Sequence, residues 1–239
     1  MASLLRDLIK QETQERGFLL PLLDKHLSER PEDERRGGFH PSELSKGFCP
    51  RELAALRLKI AKKTKKVSPQ LRRIFDNGHK FHDRMQTYTR EMNIVLNHPE
   101  LNNPRSGLAQ EARLDHEVGL TGNCDDILMI QGSWVVTDYK SSREQVFTNL
   151  VTPLKEHRNQ VILYMGMIKD MVNVERPMYA VVLYENKNSQ EIREFKVEWD
   201  AAAREYFAGV VAQLELVNEA IRAQNIYLAP CTCGKCPVQ

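Results

Sequence analysis

A chain of 239 residues, 41% hydrophobic and 28% charged, fits one globular domain with an appendage or two small domains sharing a core, and it is long enough to bury an active site. Its formal charge of +2 excludes attraction of the whole molecule to a polyanion, so a nucleic-acid partner must be held by local clusters. No apolar run reaches membrane-spanning length, and Arg6, Asp7, Lys10 and Glu12 interrupt the first residues where a signal peptide would need an unbroken stretch. The expectation is a cytoplasmic protein without a membrane partner, whose cysteines bind metal or stay free.

Leu4, Leu5, Leu8 and Ile9, then Leu19, Leu20, Leu22 and Leu23, recur at helical spacing, with interruptions near Gly17 and Pro21. PEDERRGG follows as a charged linker, so residues 1–36 read as a helical arm and linker and 37–239 as the main domain. From Ser42 to Ile60 the chain reads as helical again, with Pro41 and Pro50 as start positions and Cys49 beside the second. Residues 51–73 hold nine cations against the single acid Glu52, a local charge of 9 − 1 = +8. Such a run is either a solvated face or a phosphate-contacting rim, with Lys62, Lys63, Lys65 and Lys66 at its centre.

After a helix ending near Arg90 and the polar stretch NHPELNNPRSG, the pattern changes to alternation. Ala112, Leu114, Val118 and Leu120, then ILMI at 127–130 and WVV at 134–136, predict three strands separated by turn residues such as Gly119, Gly122 and Gly132. A helix over about 150–172, strands around 179–184 and 192–197, and a long helix over about 201–223 complete the order. There is no internal repeat. Three strands, a helix and further strands imply an α/β or α+β layer with a mixed sheet.

In WVVTDYKSS, Asp138 and Lys140 stand two apart at the end of an apolar strand, so both project from one face. A carboxylate there suits Mg²⁺ or Mn²⁺, and an ammonium two residues on suits an attacking water and a charged phosphorane. The preceding strand begins GNCDDIL, so Asp125 brings a second carboxylate, with Asp126 as the alternative. Farther along, Cys231, Cys233 and Cys236 form CTCGKC, and exposed thiols concentrated in this way call for a ligand. A closed Zn²⁺ or iron–sulfur site needs a fourth ligand, and Cys49, 231 − 49 = 182 residues upstream, is the candidate. Cys124 reads as a core thiol.

Four features in order, Gly78-x-x-x-His82, Gly122-x-x-Asp125, Asp138-Tyr-Lys140 and Gln160-x-x-x-Tyr164, resemble the RecB-like exonuclease branch of the PD-(D/E)XK nucleases. The resemblance implies a restriction-endonuclease-like core at about 74–200, a mixed central sheet flanked by helices, with N-terminal helices and a C-terminal cysteine cluster. It implies metal ligation by His82, Asp125, Asp138 and the backbone carbonyl of Tyr139, with Lys140 as the catalytic lysine. An imidazole ligand fits Mn²⁺ as well as Mg²⁺. It also implies that Gln160 and Tyr164, on one helical face, lie against the site and the nucleic-acid strand, and that Glu111 in the first strand is a further acid able to approach.

The four cysteines resemble those of the CRISPR-adaptation exonucleases and AddB-type nuclease domains, which implies a [4Fe-4S] cluster. The spacing C-x-C-x2-C departs from that group's pattern and leaves Zn²⁺ as the alternative. With no GxxxxGK[ST] motif present, a stand-alone exonuclease is expected, acting on single- or double-stranded DNA ends in recombination, end processing or spacer acquisition, with a recombination or CRISPR-adaptation protein as partner. The alternatives are a non-catalytic DNA-binding or assembly subunit and a restriction-type endonuclease.

Overall fold

The computed structural model describes residues 19–31, 37–61, 67–234 and 236. The chain divides into two compact units, one of residues 1–36 with 64–79 and one of 37–63 with 80–239. The charged linker and Lys62, Lys63, Lys65 and Lys66 lie outside the described residues, as does the expected helix before Leu19.

In the first unit, helix α1 (Leu19–Glu29) is tied to the residues at 72–76 by polar contacts. Arg73 reaches Asp24 at 2.6 Å and Arg30 reaches Asp76 at 3.2 Å. Leu19, Leu20, Leu22 and Leu23 are exposed.

In the second unit the expected helix over 42–60 is two helices, α2 (Pro41–Leu44) and α3 (Pro50–Arg57). Gly47 between them takes φ +86°, a left-handed conformation that ends a helix, and Pro50 starts the next. Helix α4 (Pro69–Glu91) precedes the sheet and contributes residues to both units.

Five strands follow: β1 (Gln110–Asp115), β2 (Thr121–Ile130), β3 (Ser133–Ser142), β4 (Met178–Asn186) and β5 (Ile192–Glu198). They lie in the order β1-β2-β3-β4-β5, and only the β3/β4 pair is parallel. The sheet is therefore mixed, as the order of elements predicts. Val118 and Leu120 belong to the β1–β2 turn rather than to a strand, because Gly119 at φ +80° reverses the chain while His116 and Leu120 close it by a 2.8 Å hydrogen bond.

The parallel β3/β4 pair needs a crossover, supplied by the short helix α5 (Glu144–Thr148) and by α6 (Lys155–Met171). Every residue of α6 from Asn159 to Ile168 is buried, because the sheet lies on one side and α7 (Ala201–Arg222) on the other. Helix α7 buries Ala203, Phe207, Val210, Leu214, Val217 and Ala220, a three-to-four spacing that makes one apolar stripe. Gly166 leaves room for the second helix: a Cβ there would lie 2.2 Å from the Phe207 ring. Asp200 caps α7 by accepting the Ala203 N–H at 2.8 Å. Among the described residues no helix is long and apolar enough to cross a membrane.

Candidate active site and cysteine cage

Two-residue periodicity sorts the β3 side chains. Asp138 and Lys140 share one face, and Tyr139 between them faces α4, where it packs with Phe81, Met85 and Leu183. Lys140 Nζ donates to Asp138 Oδ1 at 2.8 Å; the carboxylate is buried, 1% exposed, while the lysine side chain keeps 21% of its surface open to solvent.

The paired residues of β2 and β3 end at Asp126 and Thr137. Beyond that point the Asp125 carboxylate takes over: its Oδ2 accepts the Tyr139 backbone N–H at 2.7 Å, while Oδ1 stands 3.2 Å from His82 Nδ1. Asp126 turns instead toward Tyr139 and Thr89, whose hydroxyls donate to its Oδ2 at 2.6 and 2.7 Å. The geometry thus separates the two candidates. Asp125 joins His82 and Glu111, whose ligating atoms all lie within 4.8 Å of one another, and Asp126 does not.

Glu111 reaches this group through an unusual backbone, at φ +47° inside a strand. A non-glycine residue in that region is held there by its surroundings. Gln86 of α4 supplies part of the hold, its Nε2 lying 3.0 Å from Glu111 Oε1 and 3.1 Å from the Asp125 carbonyl oxygen. No pattern in the sequence announces the turned backbone of Glu111.

The electrostatics follow from crowded carboxylates, two of which, Asp138 and Asp125, act on the Lys140 ammonium. Burial pushes Asp138 up to about 6, with the Asp125 charge in the same direction and Lys140 opposing both. Glu111 is raised by burial and by Asp125. Burial works against a charged Lys140, yet Asp138 and Asp125 outweigh it and hold the ammonium protonated. His82 is likewise raised: burial opposes its charge and the hydrogen bond and charge of Asp125 prevail. Asp138 Oδ2 is buried without a hydrogen-bond partner. Crowded carboxylates and an unpartnered buried carboxylate oxygen are what a divalent cation relieves, so the donor set fits one.

Gln160 and Tyr164 on α6 are 7% and 5% exposed, and Gln160 Nε2 donates to the Tyr164 hydroxyl at 3.1 Å. Burial raises the Tyr164 phenol well above its usual value, with the Asp138 and Asp125 charges adding to it. Gly122 makes room for it, since a Cβ there would meet Pro41 at 3.0 Å and Tyr164 at 3.3 Å. One residue of this face escapes the sequence motifs. His157 stands three before Gln160, hence on the same side of α6, and its Nδ1 lies 2.7 Å from the Tyr184 hydroxyl. Leu154 N–H already donates to that hydroxyl oxygen at 3.0 Å, so the Tyr184 O–H is left to donate to an unprotonated Nδ1. Burial, Lys140 and Lys46 agree, pushing His157 down to about 3. Its spacing from Gln160 and Tyr164 was the available signal.

Several cations of the basic run are occupied elsewhere. Arg51 donates to the Ala229 carbonyl at 3.1 Å, Arg57 covers the Phe39 ring at 5.0 Å and donates to Gly38, and Arg72 and Arg73 bind Pro31 and Asp24. The structure does bring Cys49 at the head of α3 to Cys231, Cys233 and Cys236, with all four sulfurs within 4.8 Å of one another. Cys124 stays apart, fully buried in the sheet, as a core thiol should.

No curated protein matches the sequence. Among solved structures, one titled "Crystal structure of SSO0001" is 15% identical, with 88% of each chain covered and a TM-score of 0.45. Residues 49–239, which include the β-sheet, the carboxylate and lysine cluster and all the cysteines, match the PD-(D/E)XK nuclease superfamily. On that match the chain belongs to the PD-(D/E)XK nuclease superfamily, whose members are generally divalent-metal-dependent nucleases.

Proposed function

We propose that the protein is a metal-dependent DNA exonuclease that works inward from strand ends, in the cytoplasm, in end processing, recombination or spacer acquisition. The observation that carries the hydrolytic reading is the Asp138–Lys140 pair at 2.8 Å, its carboxylate buried and within reach of the Asp125 and His82 charges. The ordered motifs resembling the RecB-like branch support action from ends, and they support a recombination or CRISPR-adaptation protein as partner.

Asp125, Asp138, Glu111 and His82 would hold Mg²⁺ or Mn²⁺, with the Tyr139 carbonyl completing the set. Such an ion, when bound, supplies positive charge to the scissile phosphate and acidity to a water. Lys140, kept protonated by Asp138 and Asp125, donates hydrogen bonds toward the phosphate and the attacking water and offsets the negative charge that builds as the phosphorus–oxygen bonds exchange. Its charged state makes it an electrostatic and orienting group rather than a general base. Gln160 and Tyr164 lie beside these groups. In this reading Lys62, Lys63, Lys65 and Lys66 contact the DNA backbone.

The test is digestion of linear DNA labelled at its 5′ or 3′ end, beside covalently closed circles, with Mg²⁺ or Mn²⁺. Linear DNA is expected to shorten progressively while the circles stay intact. Cutting of the circles would replace the exonuclease by the restriction-type reading, and failure to cut either substrate would remove the enzyme.

A pH dependence follows from Asp138. Its carboxyl is raised to about 6 in the folded protein, above the usual value, so it is ionised and free for a cation above pH 6 and carries a competing proton below. Affinity for Mn²⁺ measured by calorimetry should therefore weaken by at least about tenfold between pH 7.5 and pH 5, the factor set by one proton competing at Asp138, with the proton on His82, whose titration is also raised, adding to it. Equal affinity at the two pH values would show that Asp138 does not ligate.

A further inference from the structure

We infer that Cys49, Cys231, Cys233 and Cys236 form a closed cage for one tetrahedral thiophilic ion, zinc, rather than the seat of an iron–sulfur cubane. The size of the cage separates the two. Cys49 Sγ lies 3.2 Å from Cys236 Sγ, Cys236 lies 3.6 Å from Cys233, and Cys233 lies 3.8 Å from Cys231. All four sulfurs are within 4.8 Å of one another. A zinc–thiolate bond of about 2.3 Å in tetrahedral geometry sets its sulfurs about 3.8 Å apart. A [4Fe-4S] cubane binds one cysteine at each of four irons and so spreads the sulfurs to on the order of 6 Å. The described cage is too small for that and the right size for one ion.

The chain around the cage is fixed independently. Gly234 at φ +64° turns the chain between Cys233 and Cys236 in a conformation that suits glycine. Thr232 Oγ1 donates to the Phe48 carbonyl at 3.4 Å and the Arg51 N–H to the Pro230 carbonyl at 3.3 Å, so the segment carrying three sulfurs is laid against the segment carrying the fourth. The Arg51 guanidinium stands over the Tyr227 ring at 5.3 Å on the same junction. None of the four is in a disulfide. Three of the ligands come from one turn and Cys49 from the head of α3, so a bound ion would tie distant parts of the chain together. This inference does not rest on the nuclease reading, and its test does not use nuclease activity.

The full chain is purified anaerobically without added metal, and zinc, iron and acid-labile sulfide are measured alongside the visible spectrum. The expected result is about one zinc per chain, negligible sulfide and a colourless protein. Replacement of zinc by Co²⁺ should give the intense visible bands of tetrahedral cobalt thiolate. A brown protein with about four irons and four sulfides per chain would overturn the inference in favour of a cubane. A metal-free wild type, or one with a Cys49–Cys236 disulfide by mass spectrometry, would overturn it as well. Cys233→Ser, at the exposed corner of the cage, should lose at least nine-tenths of the zinc, and Cys124→Ala should keep it. If Cys233→Ser does not fold, thiol labelling of the native wild type decides: Cys231 and Cys233 should react only after a strong chelator is added, and immediate reaction at both without chelator would sink the proposal.

Discussion

Lys140→Ala is expected to lower DNA cleavage by about 10²–10⁴-fold at saturating Mn²⁺, the range associated with losing a positioned group in the transition state. The side chain is placed by its 2.8 Å bond to the buried Asp138 and held charged by two carboxylates. An electrostatic donor in such surroundings is screened less than in bulk water. The substitution also removes the cation that most strongly opposes the upward push on Asp138, so part of any loss at neutral pH would come from protonation of Asp138 rather than from the missing ammonium. Rates are therefore compared at pH 8 or above and with metal varied to saturation. Lys140→Gln separates charge from hydrogen bonding, because it keeps a donor and loses the charge. Cleavage by Lys140→Ala within about twofold of wild type would end the catalytic assignment, provided circular dichroism shows the fold retained.

Asp125→Asn should weaken Mn²⁺ binding by about a hundredfold or more, since it removes the charge of a direct ligand where loss of an outer-shell partner alone costs about 10–100-fold. The fold is expected to survive. An amide oxygen can still accept the Tyr139 backbone N–H that Asp125 Oδ2 receives at 2.7 Å, and no atom is added to the site. The substitution has a second readout in the metal-free protein. His82 is raised by the hydrogen bond and the charge of Asp125 against burial. Without that partner the imidazole should titrate below about 6.5, its ordinary value, when followed by NMR. Unchanged metal affinity together with unchanged His82 titration would mean that the 3.2 Å contact between them has no energetic content.

Much of this site was legible as spacing. Two-residue alternation puts Asp138 and Lys140 on one face whatever the surrounding fold, and a helix puts Gln160 and Tyr164 on one side for the same reason of period. The strands at β2 through β5 and the helices α6 and α7 follow from apolar patterns whose period is local. Clustering of Cys231, Cys233 and Cys236 within six residues likewise needs no third dimension to suggest a ligand.

The choice between Asp125 and Asp126 is different in kind. It depends on where the pairing of β2 and β3 ends, at Asp126 and Thr137, and on α4 arriving with His82 for one carboxylate and Thr89 for the other. Glu111 enters because its backbone turns to φ +47° under contacts from another element, and glutamate has no local preference for that region. Local patterning likewise ran 42–60 together as one helix, where Gly47 and Pro50 break it. Sequence by itself determined which residue types the site holds and which neighbours in the chain share a face, because both depend on backbone period. Only the tertiary structure decided which carboxylate meets His82, how the buried charges raise one another, and how closely four sulfurs from the two ends of the domain approach, because distances between remote segments are set by packing.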